Sequence, residues 1–222
     1  MSKTIGILGG IGPESSAVFY EKFISSFKEK FHPVNNIEFP RIIINSIPAP
    51  ELTSGENEQK LGVYIEGIKF LEKESDFIVV VCNTAFIYLN YFNTKINKPI
   101  LDISSNVKNR LGENRILFLA SPNSIEEKLF DLSGDKIIQL QSTEKQKMGE
   151  IINQYNAGNI SQEQKVWLVS LIDKYYNQAE YILVACTELS LILNDWKDIK
   201  KIDTFDLLIK ETLNKYASIS KN

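Results

Sequence analysis

Residues that usually carry enzyme chemistry are scarce in this chain of 222 residues, which has two cysteines, one histidine and three arginines. The histidine, His32, stands beside Pro33 in a predicted loop. Two cysteines and one remote histidine are too few for a recognisable zinc site. Because the one histidine lies in this predicted loop, the usual base at neutral pH is not expected at the carboxyl ends of the predicted strands.

Long apolar runs and basic blocks are also missing. No apolar segment approaches the length of a membrane span, and Ile5–Ile11 is short, contains three glycines and lacks a cleavage-site pattern. The formal net charge of −3 argues against nucleic acid or an anionic membrane as the main partner. We therefore expect a protein of the reducing cytoplasm with no membrane and no nucleic-acid partner.

Short apolar runs alternate with longer amphipathic segments, which is typical of an α/β protein with a mostly parallel sheet. We predict strands at Thr4–Leu8, Arg41–Asn45, Phe77–Val81, Pro99–Ile103, Arg115–Ala120, Lys136–Leu140, Tyr181–Ala185 and Lys201–Ile202. We predict helices at Glu14–Lys30, Asn57–Glu74, Ala85–Lys95, Ser104–Leu111, Ser124–Asp131, Glu144–Tyr155, Gln162–Gln178, Glu188–Leu193 and Asp206–Tyr216.

Both cysteines end matching segments. Asp76–Cys82 and Glu180–Cys186 each run from an acid through an aromatic and several aliphatic residues to a cysteine, and two polar residues follow. The segments Thr4–Gly10 and Arg115–Ser121 also resemble each other, as buried-type strands that lead into small-residue turns. This repeat predicts two similar, pseudo-symmetric α/β lobes with a cleft between them, although strands can resemble one another through composition alone.

We place the N-terminal lobe at residues 1–100 and the C-terminal lobe at residues 101–200. Residues 201–222 are predicted to form a strand and a helix that pack back on the N-terminal lobe.

The two cysteines are candidate proton carriers. Ligands of open parallel sheets bind beyond the carboxyl ends of the strands, and Cys82 and Cys186 both fall at such an end. Backbone N–H groups and a following helix are expected to lower the thiol pKa from about 8.5, so that one thiolate and one thiol coexist near neutral pH. One thiolate would then remove a proton from one face of a carbon while the other thiol protonates the opposite face. The alternative is that both cysteines are small buried hydrophobic residues.

Three motifs together resemble the aspartate/glutamate racemase family from Thr4 to about Ala217. They are Gly9–Pro13, Cys82–Ala85 and Cys186–Leu189. The resemblance implies cofactor-independent racemisation by Cys82 and Cys186, a small amino-acid substrate and a homodimer. It also implies that Asn83, Thr84, Thr187 and Glu188 contact the substrate's amino-acid end. Gly10, Ala85 and Ser121 are further candidate substrate-binding residues.

The glycine loop after the first strand has three interpretations. Gly10 and Gly12 suggest a dinucleotide site, but Ser15 occupies the third glycine position and the next strand ends in Asn45-Ser46 instead of an acid. A tight turn that brings the backbone close to a small substrate, with Pro13 starting the helix, fits better. A purely structural strand–helix turn remains the third interpretation.

Several positions depart from the family pattern. Aspartate-specific members resemble this chain around Leu52 and Asn156 but carry arginine and lysine there, so these two positions are candidate specificity residues. The family's usual histidine is Phe86 here. Ser124 is predicted to cap the next helix with Glu127 completing a capping box.

The placement of the arginines points to the same difference. Arg41 and Arg115 begin predicted strands and Arg110 lies just before one, so none is expected near the strand ends that carry the cysteines. Lys60, Lys145 and Lys147 are most simply surface charges. Without a bidentate clamp for a distal carboxylate, we expect a neutral or basic side chain on the substrate.

Other functions remain open from the sequence. A hydantoin racemase-like or maleate isomerase-like enzyme would use the same thiols on a different acid. A small-molecule sensor would have kept the thiols but lost turnover. A pyridoxal phosphate enzyme is disfavoured, because no lysine has a distinctive strand-end context.

Overall fold

Parallel strand pairing organises the chain into two α/β units. The computed structural model describes residues 3–52, 58–132 and 134–220, with the side chain of Ser220 left out. Within these residues, six strands form two three-stranded parallel sheets with the orders β2-β1-β3 and β4-β5-β6. One unit contains the chain up to Asp102 and from Asp206 onward, and the other is Ile103–Phe205. The α/β fold class with two helix-flanked parallel sheets is confirmed.

The first unit is built on a central apolar strand. Strand β1 (Thr4–Gly9) is buried along its whole length and lies between β2 (Arg41–Ser46) and β3 (Phe77–Val80). The flanking helices are α1 (Pro13–Phe31) and α2 (Glu58–Glu72), and the short helix α3 spans Leu89–Asn93. Buried aliphatic strands covered on both faces are the usual composition of parallel sheets.

The second unit repeats this pattern. Strands β4 (Ile116–Ala120) and β6 (Lys201–Asp203) lie on either side of β5 (Tyr181–Ala185). The helices of this unit are α4 (Ser104–Leu111), α5 (Pro122–Glu126), α6 (Ser142–Asn156), α7 (Gln162–Tyr175) and α8 (Thr187–Ile192). Leu117, Ile182 and Val184 belong to a core that these helices cover.

The C-terminal segment contributes to both units. Strand β6 pairs with β5 in the second sheet, whereas α9 (Thr204–Ser220) joins the first unit from Asp206 onward. Tyr216 of α9 meets Phe27 of α1 edge to face, with ring centroids 5.7 Å apart. The division between the units therefore falls within the first turn of α9, after Phe205.

Two predicted strands are reduced to single bridges. In the segment Pro99–Ile103 only Ile100 pairs, with Ile78, and in Lys136–Leu140 only Ile137 pairs, with Ile116. Pro99 carries no N–H for a ladder, which limits the pairing of the first segment. An apolar run indicates burial but does not fix how many residues find partners.

Some predicted helices change type or length. The segment Ala85–Lys95 folds as a 3-10 turn at Thr84–Tyr88 followed by α3. The prediction Ser124–Asp131 becomes α5 and a separate 3-10 turn at Leu129–Asp131, because Lys128 between them has a left-handed backbone with a φ of 52°. Asn57 of the second predicted helix lies outside the described residues. Among the described residues, no helix has the length and apolar character needed to span a membrane.

Candidate active site

Cys82 lies at the carboxyl edge of the first sheet. The strand register pairs Leu8 of β1 with Val80 of β3, and the Val81 N–H donates to the Leu8 carbonyl at 3.0 Å. Gly10 and Cys82 each follow these paired residues by two positions, so both lie at this edge. The cysteine is 9% exposed.

Polar groups follow Cys82 directly. Asn83 is buried, and its carbonyl accepts a hydrogen bond from the Phe86 N–H at 3.0 Å as the 3-10 turn begins. The Asn83 side-chain amide makes no hydrogen bond to a side chain or backbone group that the structure describes. Thr84 is half-buried and Ala85 is buried. The predicted substrate residues of this segment are therefore brought together with Cys82.

Cys186 occupies the equivalent edge of the second sheet. The register pairs Ala120 of β4 with Ala185 of β5, so Ser121 and Cys186 are the next residues on neighbouring strands. Cys186 has extended backbone angles and is the N-cap residue of α8. The cysteine is buried at 6% exposure, together with Thr187 and Glu188.

A buried carboxylate contacts the Cys186 thiol. The S–H group donates to Oε2 of Glu188 at 3.0 Å, and the Thr187 hydroxyl donates to the same oxygen at 2.9 Å. Sequence reasoning assigned Thr187 and Glu188 to the substrate's amino-acid end, whereas here their polar atoms are engaged with each other and with the thiol. No sequence pattern distinguishes these two uses of a carboxylate two residues after a cysteine.

The expected lowering of the thiol pKa is wrong for Cys186. Burial raises the pKa of the Cys186 thiol well above its ordinary value, and the negative charge and hydrogen bond of Glu188 raise it further. The backbone N–H groups of Leu189 and Glu188 do lower the pKa, as predicted, but by less. Helix α8 has only six residues, so its dipole offsets little of the desolvation.

Gly10 is required by the chain's own packing. Its φ of 85° is one that side chains rarely adopt, and a Cβ at this position would collide with the carbonyl oxygen of Ile47. The Gly10 N–H donates to the Ser16 hydroxyl at 3.0 Å. Pro13 starts α1 as predicted. These contacts favour the structural interpretation of the turn, and a role of Gly10 in substrate binding stays a prediction.

Ser121, and not Ser124, caps the first helix after β4. The Ser121 side chain accepts a hydrogen bond from the Ser124 N–H at 3.2 Å and donates to the Ser124 hydroxyl at 2.9 Å. Pro122 is then the first helical residue, where its missing N–H costs nothing. The cap is therefore three residues earlier than predicted, and Glu127 is the C-cap of this short helix instead of the partner in a capping box.

The two specificity positions differ in their surroundings. Leu52 is buried at 7% exposure, directly before residues outside the described ranges. Asn156 is the last residue of α6 and is exposed.

The arginines occupy the positions predicted for them. Arg41 starts β2 opposite Thr4, at the amino edge of the first sheet, and lies 3.4 Å from Glu74. Arg115 directly precedes β4, and Arg110 is in the last turn of α4. Lys147 is exposed and lies over the Trp167 ring, with its Nζ 4.8 Å from the ring centroid.

Sequence reasoning missed a polar network below Cys186. The Ser190 hydroxyl lies 3.0 Å from the Cys186 carbonyl oxygen and 2.6 Å from Oδ1 of Asp203. Asp203 in turn lies 3.2 Å from Lys201. Its signal in the sequence is weak, because these contacts depend on the pairing of β6 with β5.

Among the residues that the structure describes, no group of three or more histidine, cysteine, aspartate or glutamate side chains is arranged to hold a metal ion.

Known proteins resemble this chain over nearly its full length. A family model described as Asp/Glu/Hydantoin racemase matches residues 8–212. The broad specificity amino-acid racemase RacX of Bacillus subtilis (strain 168) is 27% identical over an alignment of 225 residues. This alignment, gaps included, spans 96% of this chain and 98% of the relative.

Solved structures show the same fold. An aspartate racemase homologue from Pyrococcus horikoshii OT3 superposes with a TM-score of 0.75 at 25% identity, over 98% of this chain and 100% of that chain. Picrophilus torridus aspartate racemase superposes with a TM-score of 0.76 at 20% identity, over 97% of this chain and 95% of that chain. At that identity the likeness shows the fold alone. The match to the family model and the two-sheet architecture agree, and this chain belongs to the Asp/Glu/hydantoin racemase family of isomerases.

Proposed function

We propose that this protein racemises a free amino acid without a cofactor, with Cys82 and Cys186 as the two proton carriers. The observation that carries the proposal is the equivalent placement of the cysteines. Each is buried, follows an apolar strand at the carboxyl edge of its own parallel sheet and precedes polar residues. Inversion of Cα needs a proton acceptor on one face and a donor on the other, and a pair of thiols supplies both.

Glu188 has a part in this chemistry as the proton partner of Cys186. Their contact at 3.0 Å lets the S–H proton pass to the carboxylate, which leaves a thiolate beside a neutral acid. The pair carries one negative charge before and after this transfer, so its burial does not oppose the step. Cys186 therefore rests as the thiol and becomes a base through Glu188.

The remaining polar groups bind the substrate in this proposal. Asn83, Thr84 and Ala85 beside Cys82, with Gly10 on the neighbouring strand end, hold one part of the amino-acid end. Ser121 and Thr187 beside Cys186 hold another part. The Asn83 amide supports this role, because it is buried and without a hydrogen bond to the described residues.

We also propose that the substrate lacks the side-chain carboxylate of aspartate. Leu52 is apolar and buried, Asn156 is uncharged, and the arginines lie at or near the starts of strands. The name of the Bacillus subtilis relative, a broad specificity amino-acid racemase, supports a substrate range beyond aspartate.

The proposal includes a homodimer, supported by an apolar face of the first unit. This face comprises α1, β2 and the segment between them, and it exposes Tyr20, Val34, Ile37 and Ile44. It holds a groove of about 620 Å³, and within the described residues β2 pairs with β1 only, which leaves its outer edge open. An open strand edge beside exposed apolar side chains is typical of a contact surface.

The charges on this face suit a second copy of the chain. Glu21 and Lys28 are exposed on the same side of α1, seven residues apart. Two antiparallel α1 helices that cross near Ile24 would place each Glu21 opposite the partner copy's Lys28. We further propose that the dimer acts in the cytoplasm without nucleic acid, in keeping with the net charge of −3.

Cys82→Ala and Cys186→Ala should each lower racemisation by about 100-fold or more, because each variant removes the proton carrier of one face. Chiral chromatography of both enantiomers measures this effect. Ser75→Ala is the control, since Ser75 is equally small and buried but lies before β3, and it should retain activity. Full activity in either cysteine variant would refute the two-thiol mechanism.

Glu188→Gln should separate thiol ionisation from turnover. Loss of the carboxylate removes a charge that raises the pKa of Cys186, so the thiolate should form at lower pH. Turnover should nevertheless fall by about 100-fold, because the proton acceptor is lost. Alkylation of Cys186 by iodoacetamide as a function of pH, in a Cys82→Ala background, measures the first effect. An unchanged alkylation profile together with unchanged turnover in otherwise wild-type protein would contradict the assigned role.

Aspartate should not be the best substrate in a panel of L- and D-amino acids. Leu52→Arg combined with Asn156→Lys should raise the ratio of aspartate to neutral amino-acid turnover by about tenfold or more, because it adds two cations for a distal carboxylate. Glu51→Arg, which adds a cation at the exposed neighbouring position, is the control. Wild-type preference for aspartate by a wide margin would overturn the substrate assignment, and turnover of hydantoins or maleate alone would select the alternative enzyme class.

Light scattering should give a mass near twice that of one 25.3 kDa chain. Glu21→Lys should shift the protein toward monomer, because it places like charges in contact, and adding Lys28→Glu should restore the dimer. Glu29→Lys changes an exposed residue of α1 that does not line the surface formed by Tyr20, Glu21, Ile24, Ser25 and Lys28, and it should have no effect. A monomeric wild type, or a dimer indifferent to Glu21→Lys, would rule out this interface.

A further inference from the structure

Helix α8 is too short to be stable by itself. It has six residues, Thr187–Ile192, whereas isolated helices in water need about 12–15 residues to form even marginally. It nevertheless carries Thr187 and Glu188, and the backbone N–H groups of Glu188 and Leu189 approach the Cys186 sulfur. The orientation of the thiol therefore depends on whatever holds α8 in place.

Ser190 fixes the start of this helix. Its backbone N–H donates to the Cys186 carbonyl at 3.0 Å, and its hydroxyl lies 3.0 Å from the same oxygen. The hydroxyl is also 2.6 Å from Oδ1 of Asp203, so its single proton is shared between two acceptors and held more strongly by the carboxylate. Ser190 thus connects the backbone of Cys186 to a buried charge on β6.

That charge belongs to an ion pair. Asp203 Oδ2 lies 3.2 Å from the Lys201 ammonium, and the two side chains are 7% and 9% exposed. Oδ1 of Asp203 also accepts the Phe205 N–H at 3.0 Å. In the sheet Asp203 pairs directly with Val184, which lies two residues before Cys186 in the chain. The sheet therefore holds Asp203 beside the strand that leads to Cys186.

The lysine of this pair holds the other end of α8. Its ammonium donates to the carbonyl of Leu193, the C-cap residue of the helix, at 3.1 Å. The last carbonyl groups of a helix have no partner within the helix, so a cation here satisfies one of them. One buried ion pair on β6 is therefore connected to both ends of α8.

We propose that Asp203, Lys201 and Ser190 are positioning residues for the proton transfer at Cys186. They touch no reacting atom and act by fixing the six-residue helix that orients the thiol and its Glu188 partner. The ion pair is neutral as a unit, so it gives this support without placing another net negative charge beside a thiol that has to ionise. This role rests on the proposed racemase function, but the rigidity of α8 is testable without it.

Ser190→Ala tests the connection with the least disturbance, since it removes one oxygen and leaves the ion pair intact. Hydrogen exchange of the backbone amides of Leu191, Ile192 and Leu193 should accelerate about tenfold or more in this variant, while the amides of β1 and β3 keep their protection. Racemisation should slow about tenfold to 100-fold in both directions with KM little changed, and the isotope effect of Cα deuterium should become larger for the enantiomer that Cys186 deprotonates than for the other enantiomer.

Thr212→Val is the matched control. Thr212 also donates its hydroxyl to the carbonyl four residues earlier, at 2.7 Å and fully buried, but it lies in the 17-residue helix α9. The variant should change neither the hydrogen exchange of α8 nor the ratio of the Cα-deuterium isotope effects of the two enantiomers. Equal isotope effects for both enantiomers in Ser190→Ala would indicate a merely structural role and overturn the proposal.

A double variant identifies the path of the effect. Asp203→Asn leaves the Lys201 ammonium without its carboxylate, and with Ser190→Ala it should slow racemisation no more than the more harmful single change does. If the two changes instead multiply their effects on the rate, action through one connection is contradicted.

The positioning role and the racemase proposal can fail separately. If the wild-type protein acts on no amino acid, only the racemase proposal fails, and hydrogen exchange of α8 decides the positioning role. Unchanged protection of α8 in Ser190→Ala would reject that role in either case.

Discussion

Parallel pairing in fixed register is the constraint on which the candidate chemistry depends. In each sheet it brings the carboxyl ends of buried strands to one edge, so that Cys82 joins Gly10 and Cys186 joins Ser121. The strands that lead to these residues, β1, β3, β4 and β5, are mainly apolar and contribute no reactive groups. The polar residues follow the last paired positions, where the chain leaves the sheet and its backbone N–H groups are no longer used by the ladder.

Burial of Cys186 opposes the ionisation that its proposed role as a base requires. A desolvated thiol keeps its proton, and the adjacent carboxylate of Glu188 strengthens that preference. The same carboxylate offers a short route for the proton at 3.0 Å, which makes it the natural partner in transfer. In the proposed mechanism Cys186 rests as a proton donor and becomes a base only when Glu188 takes its proton.

Apolar patterning and turn residues in the sequence predicted most helices and strands, and they placed both cysteines at the carboxyl ends of strands. Strand β5 and helix α4 have the bounds that the sequence predicts, because apolar runs and flanking turns define them. The strand lengths around Ile100 and Ile137 were overestimated, because an apolar run predicts burial but not how many of its residues form strand pairs.

Contacts that depend on tertiary structure could not be predicted. The Ser190–Asp203 contact spans 13 residues and exists only because β6 lies beside β5. The raised pKa of Cys186 was also missed, because the strength of desolvation depends on how completely α8 and the sheet cover the thiol.

The position of deuterium during early turnover in heavy water tests the two-thiol account most directly. Starting from either pure enantiomer, NMR and chiral separation can follow deuterium at Cα in the remaining substrate and in the product. The account predicts that deuterium enters the product while the remaining substrate keeps its hydrogen, because different thiols serve the two faces. Equal early labelling of substrate and product would show that one group serves both faces, and it would contradict the assignment of Cys82 and Cys186 as a pair.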